Sequence, residues 1–216
     1  MARPLEGITA AVLGTGPDLP ADRLEAFGGY FTIGVNRFWR IAGGFRPTAA
    51  FWIDGAVAAG DPQWPDGTLL VCDASAAPDR PHERAHAPIA IPARAGPLPR
   101  RYEQLSPRTL YHRPNAGVVA ALWAASLGCW PVVLLGMGCE NDGRSGRQLA
   151  AMRAALEEAV GMEYRRPTDW RNVLWPWPRR AVESPAIWAS YVHSQRLTAC
   201  GAGEIRQRLR SFYAAA

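Results

Sequence analysis

The chain has 216 residues, of which 48% are hydrophobic and 20% charged, as is typical of a globular domain with a core of its own. Its net charge of +5 rests on 24 arginines, because the sequence contains no lysine. The absence of lysine excludes P-loop, Schiff-base and kinase-type lysine chemistry, so a bound phosphate would have to be held by backbone amides, arginines, hydroxyls or a metal ion.

Short apolar segments alternate with helix-like segments over most of the chain. Strands are predicted over 8–14, 30–35, 48–54, 68–73, 131–138 and 162–167, and helices over 20–28, 115–128 and 145–161. The segment 74–107 is rich in Pro, Arg and Ala, and is expected to run over the surface as a long excursion. Because the strands are apolar throughout and alternate with helices, the pattern predicts an α/β fold with a doubly wound, mainly parallel sheet, a Rossmann-like variant.

The last part of the chain does not continue this alternation. Two helices are predicted there, over 184–201 and 202–214, with Ser184 and Pro185 as start signals and Gly201 as the break. We therefore expect a Rossmann-like nucleotide-binding domain over 1–178 and a helical C-terminal extension over 179–216 packed on it.

Localisation and partners are indicated by what the sequence does not contain. No apolar stretch reaches the roughly 18 residues that span a bilayer, and the N-terminus resembles no export signal. The four cysteines are scattered without CxxC spacing, which predicts reduced thiols in a cytoplasmic protein. The pI is about 9.4, but the arginines are dispersed and no nucleic-acid signature occurs, so nucleic acid is not an expected partner. Nine tryptophans and a helical tail leave a homo-oligomer open.

Polar residues follow four of the predicted strands, at Gly14-Thr15-Gly16, at Asn36-Arg37, at Asp54 and over 136–142. Ligands of open parallel sheets bind at the carboxyl ends of the strands. Two glycines let the backbone approach a phosphate, and the helix that follows offers unpaired N–H groups. The third glycine of the dinucleotide fingerprint is absent and Asn36 replaces its acidic residue, which disfavours NAD. A tight turn at the glycines and helix caps at Asn36 and Asp54 remain the alternatives.

The stretch "YHRPNAGVVAA", residues 111–121, is the second candidate for an anion site. Arg113 precedes a helix that Asn115 is placed to cap, with Ala116 and Gly117 in its first turn. A helix N-terminus beside an arginine favours an anion. The alternative is a capped core helix with a surface arginine.

Taken in order, these motifs resemble those of one superfamily. "VLGTGPDL" is similar to its GxGPSL strand end, "GVNRF" to its second-strand Asn, "RPTAAFWID" to its third strand, and "RPNAGVVAALWAASLGCWPVVLLGMG" to its R-x-[ST]-[SG]-G helix and following strand. The superfamily contains bacterial lipooligosaccharide sialyltransferases, motility-accessory flagellin glycosyltransferases and archaeal 6-hydroxymethylpterin diphosphokinase-like proteins, with short phage and prophage members. The resemblance covers roughly residues 8–165.

The resemblance implies a set of nucleotide-binding residues. Gly14, Thr15 and Gly16 would face the phosphates, Asn36 would meet the nucleotide or its phosphates, Gly136 would pack beneath it, and the same cleft would be lined by Arg113, Asn115, Ala116 and Gly117.

Two departures from the family pattern affect the expected chemistry. Gly138 stands where the family has an aspartate, and "CENDGRSG" replaces a long lid that carries a catalytic histidine and tyrosines. Asp54, Glu140 and Asp142 are therefore the candidates for a catalytic carboxylate or for ligands of a divalent cation such as Mg²⁺. Tyr191 and His193 of the tail could serve as a substitute lid, with helix packing as the alternative.

Three functions follow as hypotheses. The first is a nucleotide-sugar glycosyltransferase of sialyltransferase-like type, which would use a CMP-, UDP- or GDP-sugar and an acceptor that the sequence does not identify. The second is pyrophosphoryl transfer from ATP, as in the pterin diphosphokinase-like relatives. The third is a catalytically degenerate binding or assembly protein of phage or prophage type.

Overall fold

The structure, a computed structural model, describes residues 3–16, 19, 24–25, 27–41, 43–58, 67–78, 87–130, 132–137, 146–160, 162, 174–176 and 200–215. The strands in this part of the chain are β1 (Ala10–Leu13), β2 (Phe31–Val35), β3 (Ala49–Trp52), β4 (Leu69–Asp73), β5 (Ile89–Ile91), β6 (Ala93–Arg94), β7 (Leu110–Tyr111), β8 (Val132–Leu135) and β9 (Leu174–Pro176). The α-helices are α1 (Gly55–Ala58), α2 (Ala116–Ser126), α3 (Gly146–Val160) and α4 (Ala202–Ala214).

Seven of these strands form one parallel sheet in the order β5-β4-β3-β2-β1-β8-β9. The chain builds outward from β1 through β2, β3 and β4 to β5, and then returns to the opposite side of β1 with β8. Ala10 of β1 therefore pairs with Phe31 on one side and with Val132 on the other. This topology confirms the predicted parallel α/β sheet and places its switch point between β1 and β8, which is where such sheets bind ligands.

Both faces of the sheet are covered, because the strands carry apolar residues at successive positions. Ala10 and Val12 of β1 join the core cluster that contains α2, whereas Ala11 and Leu13 join a second cluster on the opposite face. Every residue of α2 is buried, and its Trp123 stacks on Phe51 at 5.7 Å between ring centroids. A helix that is apolar on all sides belongs in the interior, as its sequence indicates.

Helix α4 confirms the helix predicted over 202–214 and packs against the core. Ile205 and Leu209 are fully buried within the cluster that contains α2. The indole N–H of Trp123 donates to the Tyr213 hydroxyl at 2.9 Å, and that hydroxyl donates in turn to the Pro107 carbonyl. Burial in this contact raises the pKa of Tyr213 to about 12. The helix predicted over 184–201 lies outside the described residues except for 200 and 201, which are not helical, and the division of the chain at residue 178 stays a prediction.

The interpretation of 74–107 as a surface excursion is only partly right, because most of its described residues are exposed or half-buried but the segment also contains strands and buried side chains. Strand β5 lies in this segment and forms one end of the seven-stranded order, β6 pairs with β7 in a small parallel sheet, and Tyr102 is buried at 1% exposure. Pro88 and Pro92 flank β5, and prolines so close together are typical of a loop. Proline is nevertheless tolerated next to an edge strand. The helix predicted over 20–28 and the strand over 162–167 lie largely outside the described residues.

Two further expectations can be compared with the described residues. None of the helices among them is both long and apolar enough to cross a membrane. The thiols of Cys72, Cys129 and Cys200 are free, and the first two are buried. Burial raises the pKa of Cys72 to about 12 and that of Cys129 well above its usual value, so both thiols stay protonated at neutral pH.

Candidate functional site

A cavity of about 410 Å³ opens at the carboxyl ends of the parallel strands, across the switch point between β1 and β8. Its size falls within the range of small-molecule sites, roughly 300–1,000 Å³. The described residues that line it come from the ends of β1, β2, β3 and β8, from the start of α2 and from α3. They are Gly14, Thr15, Gly16, Val35, Asn36, Ile53, Asp54, Pro114, Asn115, Ala116, Gly117, Gly136, Met137, Gln148, Ala151 and Met152.

The cavity has its base where Gly14 and Gly136 meet at the ends of β1 and β8. A Cβ atom on Gly14 would lie 2.4 Å from the Gly136 carbonyl oxygen, closer than Cβ contacts in proteins allow. Gly136 has φ +64°, and a Cβ there would lie 2.9 Å from the Gly14 oxygen. Both positions therefore require glycine because two backbones touch, and for Gly136 also because its conformation is left-handed.

The hydrogen bonds of the loop after β1 limit what it can offer a phosphate. The Gly14 amide donates to the Leu135 carbonyl at 2.8 Å, and the Gly16 amide donates to the Gly136 carbonyl at 2.8 Å. These two amides hold the loop against β8 and are occupied. Thr15, which is exposed in the cavity wall, is left to present its amide and its hydroxyl to a ligand.

Asn36 is held with its side chain in the cavity wall by an unusual backbone conformation. Its φ of 54° is left-handed, a region that asparagine tolerates better than most residues, and its amide donates to the Phe51 carbonyl at 2.8 Å. The Oδ1 atom is buried and has no hydrogen-bond partner in the part of the chain that the structure describes. An unpaired acceptor of this kind favours a ligand that donates to it.

The N-terminus of α2 points its first turn at the cavity. Asn115 caps the helix, as predicted, because its Oδ1 accepts from the Gly117 amide at 2.9 Å and from the Val118 amide at 3.4 Å. A Cβ on Gly117 would lie 2.2 Å from Cε of Met137, so glycine at this position leaves room for that methionine. The positive end of the helix dipole and the remaining amide of the first turn, that of Ala116, lie in the cavity wall.

Asp54 is the acidic side chain among the described lining residues. It is exposed, and its Oδ1 accepts from the Ala56 amide at 2.9 Å at the start of α1, as the capping alternative anticipated. The other two candidate carboxylates, Glu140 and Asp142, lie outside the described residues, as do Tyr191 and His193. Groups of three potential metal ligands do not occur among the described residues, so Mg²⁺ binding stays a prediction.

Arg113 is placed differently from what the sequence suggested. Its Nε and Nη2 donate to the two carboxylate oxygens of Glu158 at 2.9 and 3.0 Å, and its Nη1 donates to the carbonyls of Gly96 at 3.0 Å and His112 at 2.7 Å. The side chain is 9% exposed and does not line the cavity. The guanidinium is thus hydrogen-bonded to protein acceptors. Both expectations for Arg113, that it lines the cavity and that it is a surface arginine, are wrong.

Helix α3 supplies one wall of the cavity, which the sequence analysis did not identify. Gln148, Ala151 and Met152 of this helix line the cavity. The sequence signal for α3 was its amphipathic pattern, which predicts a helix but not what its less polar face packs on. Spacings of three and four residues place the three side chains on one face of the helix, which the sequence shows. That this face meets the cavity depends on how α3 packs against the sheet, so the three residues could not be identified from sequence alone.

The arrangement can bind a small molecule with a polar, weakly anionic end. Donors come from Thr15 and from the first turn of α2, an acceptor comes from Asn36, and a carboxylate from Asp54. Cationic side chains do not occur among the described lining residues.

No protein-family model matches the chain, and no curated protein matches it in sequence. Among solved structures, the chain is similar to the sialyltransferase CstII from Campylobacter jejuni in complex with a substrate analogue, CMP-3FNeuAc, at 12% identity and a TM-score of 0.34. The similarity covers 73% of this chain and 79% of that one. A likeness at this level carries no argument for activity, which has to rest on the site itself.

Proposed function

We propose that this chain is a nucleotide-dependent transferase that takes a sugar from a nucleotide-sugar donor held in the cavity between β1 and β8. The observation that carries the proposal is the composition of the cavity wall, where neutral donors, a helix N-terminus and the unpaired amide oxygen of Asn36 surround one space of about 410 Å³. A nucleotide offers the matching groups, since its phosphate accepts hydrogen bonds and its ribose hydroxyls donate them.

The charge of the wall favours a donor that contains a single phosphate. A phosphodiester between nucleoside and sugar carries one negative charge, which amides and a helix dipole can stabilise without a cation. A diphosphate carries a second charge, which usually calls for an arginine, a lysine or a metal ion. CMP-sugars are donors with a single phosphate, whereas UDP-sugars, GDP-sugars and ATP are not.

Asp54 is the described residue that we propose as the base of the transfer. Its carboxylate would accept the proton of the acceptor hydroxyl while that oxygen bonds to the sugar carbon and the bond from this carbon to the phosphate oxygen breaks. The electron pair of the breaking bond stays on the phosphate, whose growing charge Thr15 and the α2 N-terminus would stabilise. Glu140 and Asp142, which the sequence analysis named with Asp54, remain candidates for the same role.

Calorimetric titration with a panel of nucleotides tests the proposal. We expect at least one nucleoside monophosphate to bind with a Kd between about 1 µM and 1 mM, as is usual for enzyme substrates. The diphosphate of the same nucleoside should bind more weakly, and Mg²⁺ should not be needed for the monophosphate. The panel comprises CMP, UMP, GMP and AMP, the corresponding diphosphates, and ATP, each with and without Mg²⁺.

Other results of this panel would contradict the proposal. Binding of ATP alone, and only with Mg²⁺, would support pyrophosphoryl transfer instead. Failure of every nucleotide to bind a folded protein would support a catalytically degenerate binding or assembly protein.

A further inference from the structure

We infer that Arg113 and Glu158 form a positioning pair, which sets the distance between the α3 wall of the cavity and the N-terminus of α2. The effect of the pair on nucleotide affinity rests on the proposed function. Its effect on the position of α3 does not, because that position is measured in the free protein. The inference assigns Arg113 a role through Glu158 and not through contact with a phosphate.

The pair joins two elements that each line the cavity. Arg113 immediately precedes Pro114, the first of the four consecutive lining residues 114–117 at the start of α2. Glu158 lies on α3 seven residues, or about two turns, after the lining residue Ala151. Residues seven apart project from nearly the same side of a helix, so the side of α3 that carries Ala151 also carries the carboxylate that Arg113 grips.

The second half of α3 is anchored, whereas the first half forms the cavity wall. Ala155 and Ala159 are buried, and the hydroxyl of Tyr102 donates to the Ala159 carbonyl. Near the start of the helix, Gln148 and Ala151 are exposed and Met152 is half-buried. Because a helix is stiff over this length, these contacts together with the ion pair at Glu158 set the positions of Gln148 and Met152.

The geometry of Arg113 gives the anchor a defined orientation. Two parallel bonds to Glu158 fix the plane of the guanidinium, and the bonds to the Gly96 and His112 carbonyls fix its position relative to the chain leading into α2. Glu158 is 45% exposed, so its carboxylate can be hydrated by water when Arg113 is replaced by a neutral residue. Glu158→Ala leaves the buried Arg113 guanidinium with only the Gly96 and His112 carbonyls, so this variant should also lose stability.

The methyl group of Met152 reports the position of the α3 wall in the free protein. In a methyl NMR spectrum of methionine-labelled protein, Glu158→Ala and Arg113→Leu should each move the Met152 signal, and the double variant should move it no further than the single variants do. The signal of Met162, a buried residue that does not line the cavity, serves as the reference. Glu157→Ala, the same change one position earlier on α3, is the matched control and should leave the Met152 signal in place.

Nucleotide affinity provides the second readout. Each single variant should weaken the Kd of the best monophosphate by about fivefold, and the double variant should weaken it by the same factor, since residues in one ion pair are coupled. Arg108→Gln controls for a general loss of stability. Arg108 binds the Phe212 carbonyl and stacks on that ring, so this change should lower the thermal midpoint without altering affinity.

Three results would overturn the inference. One is a Met152 signal that neither variant moves, and another is a double variant whose effects are the sum of the single effects. The third is tighter nucleotide binding by Glu158→Ala together with loss of binding by Arg113→Leu, because Arg113 would then contact the phosphate directly. If no nucleotide binds the wild type, the proposed function fails, while the Met152 signal still decides on the positioning pair.

Discussion

Substitution of Gly14 by alanine is expected to lower the free energy of unfolding by about 3 kcal/mol and to abolish nucleotide binding. The new Cβ would lie 2.4 Å from the Gly136 carbonyl oxygen, and because that atom belongs to the backbone of β8, a side-chain rotation cannot relieve the clash. The ends of β1 and β8 would have to separate at the base of the cavity. For a chain of this length, thermal unfolding should report a loss of about 6–12 °C.

A glycine elsewhere in the chain controls for the general effect of the substitution. A Cβ on Gly203 of α4 would meet nothing within 4 Å, and alanine favours helices over glycine by about 0.8–1 kcal/mol. Gly203→Ala should therefore leave nucleotide binding intact and leave the thermal midpoint unchanged or raised. Equal midpoints for Gly14→Ala and the wild type would contradict the close contact between Gly14 and the Gly136 carbonyl at the ends of β1 and β8.

Substitution of Asn36 by glycine is expected to weaken nucleotide binding by about 10- to 100-fold with little effect on stability. Glycine adopts the left-handed φ of 54° freely, so the backbone should stay in place while the side-chain amide of Asn36 is removed. The Asn36 Oδ1 has no partner among the described residues, so its removal breaks no hydrogen bond that they make to this atom, whereas the bound ligand is left with an unpaired donor at a cost of about 1–3 kcal/mol. Calorimetry and thermal unfolding measure the two effects separately.

Alanine at the same position separates the effect of losing the side-chain amide from the effect of the left-handed backbone conformation. Asn36→Ala should weaken binding as much as glycine does, and should in addition destabilise the protein by about 1 kcal/mol relative to glycine, because a Cβ disfavours the left-handed conformation. Unchanged affinity in both variants would show that the Asn36 amide does not contact the ligand.

Most of the sheet could be predicted from sequence because its strands are continuous apolar runs. The strands at 10–13, 31–35, 49–52, 69–73 and 132–135 all fall within predicted segments. Strand β5 was missed because three residues between prolines carry too little periodicity, and its place is fixed only by pairing with β4. The strand order itself depends on tertiary contacts between residues more than a hundred positions apart, as in the pairing of Ala10 with Val132.

The residues of the candidate site that follow strands could be predicted from sequence. The hydrogen-bond partner of a side chain such as Arg113 could not. Strand ends meet at one edge of a parallel sheet, so Gly14, Asn36, Asp54 and Gly136 lie around one cavity as expected. Arg113 was misjudged because its sequence context shows a cation before a helix, whereas its acceptor, Glu158, comes from a helix 45 residues away.

A methyl NMR titration of the wild-type protein shows whether a nucleotide occupies the cavity between β1 and β8. Met137 and Met152 lie on different walls of the cavity, and Met162 lies in the core away from it. A nucleoside monophosphate should shift the Met137 and Met152 signals along one saturable curve and leave the Met162 signal unchanged. Saturable nucleotide binding that leaves both cavity methyl signals in place would contradict binding in this cavity.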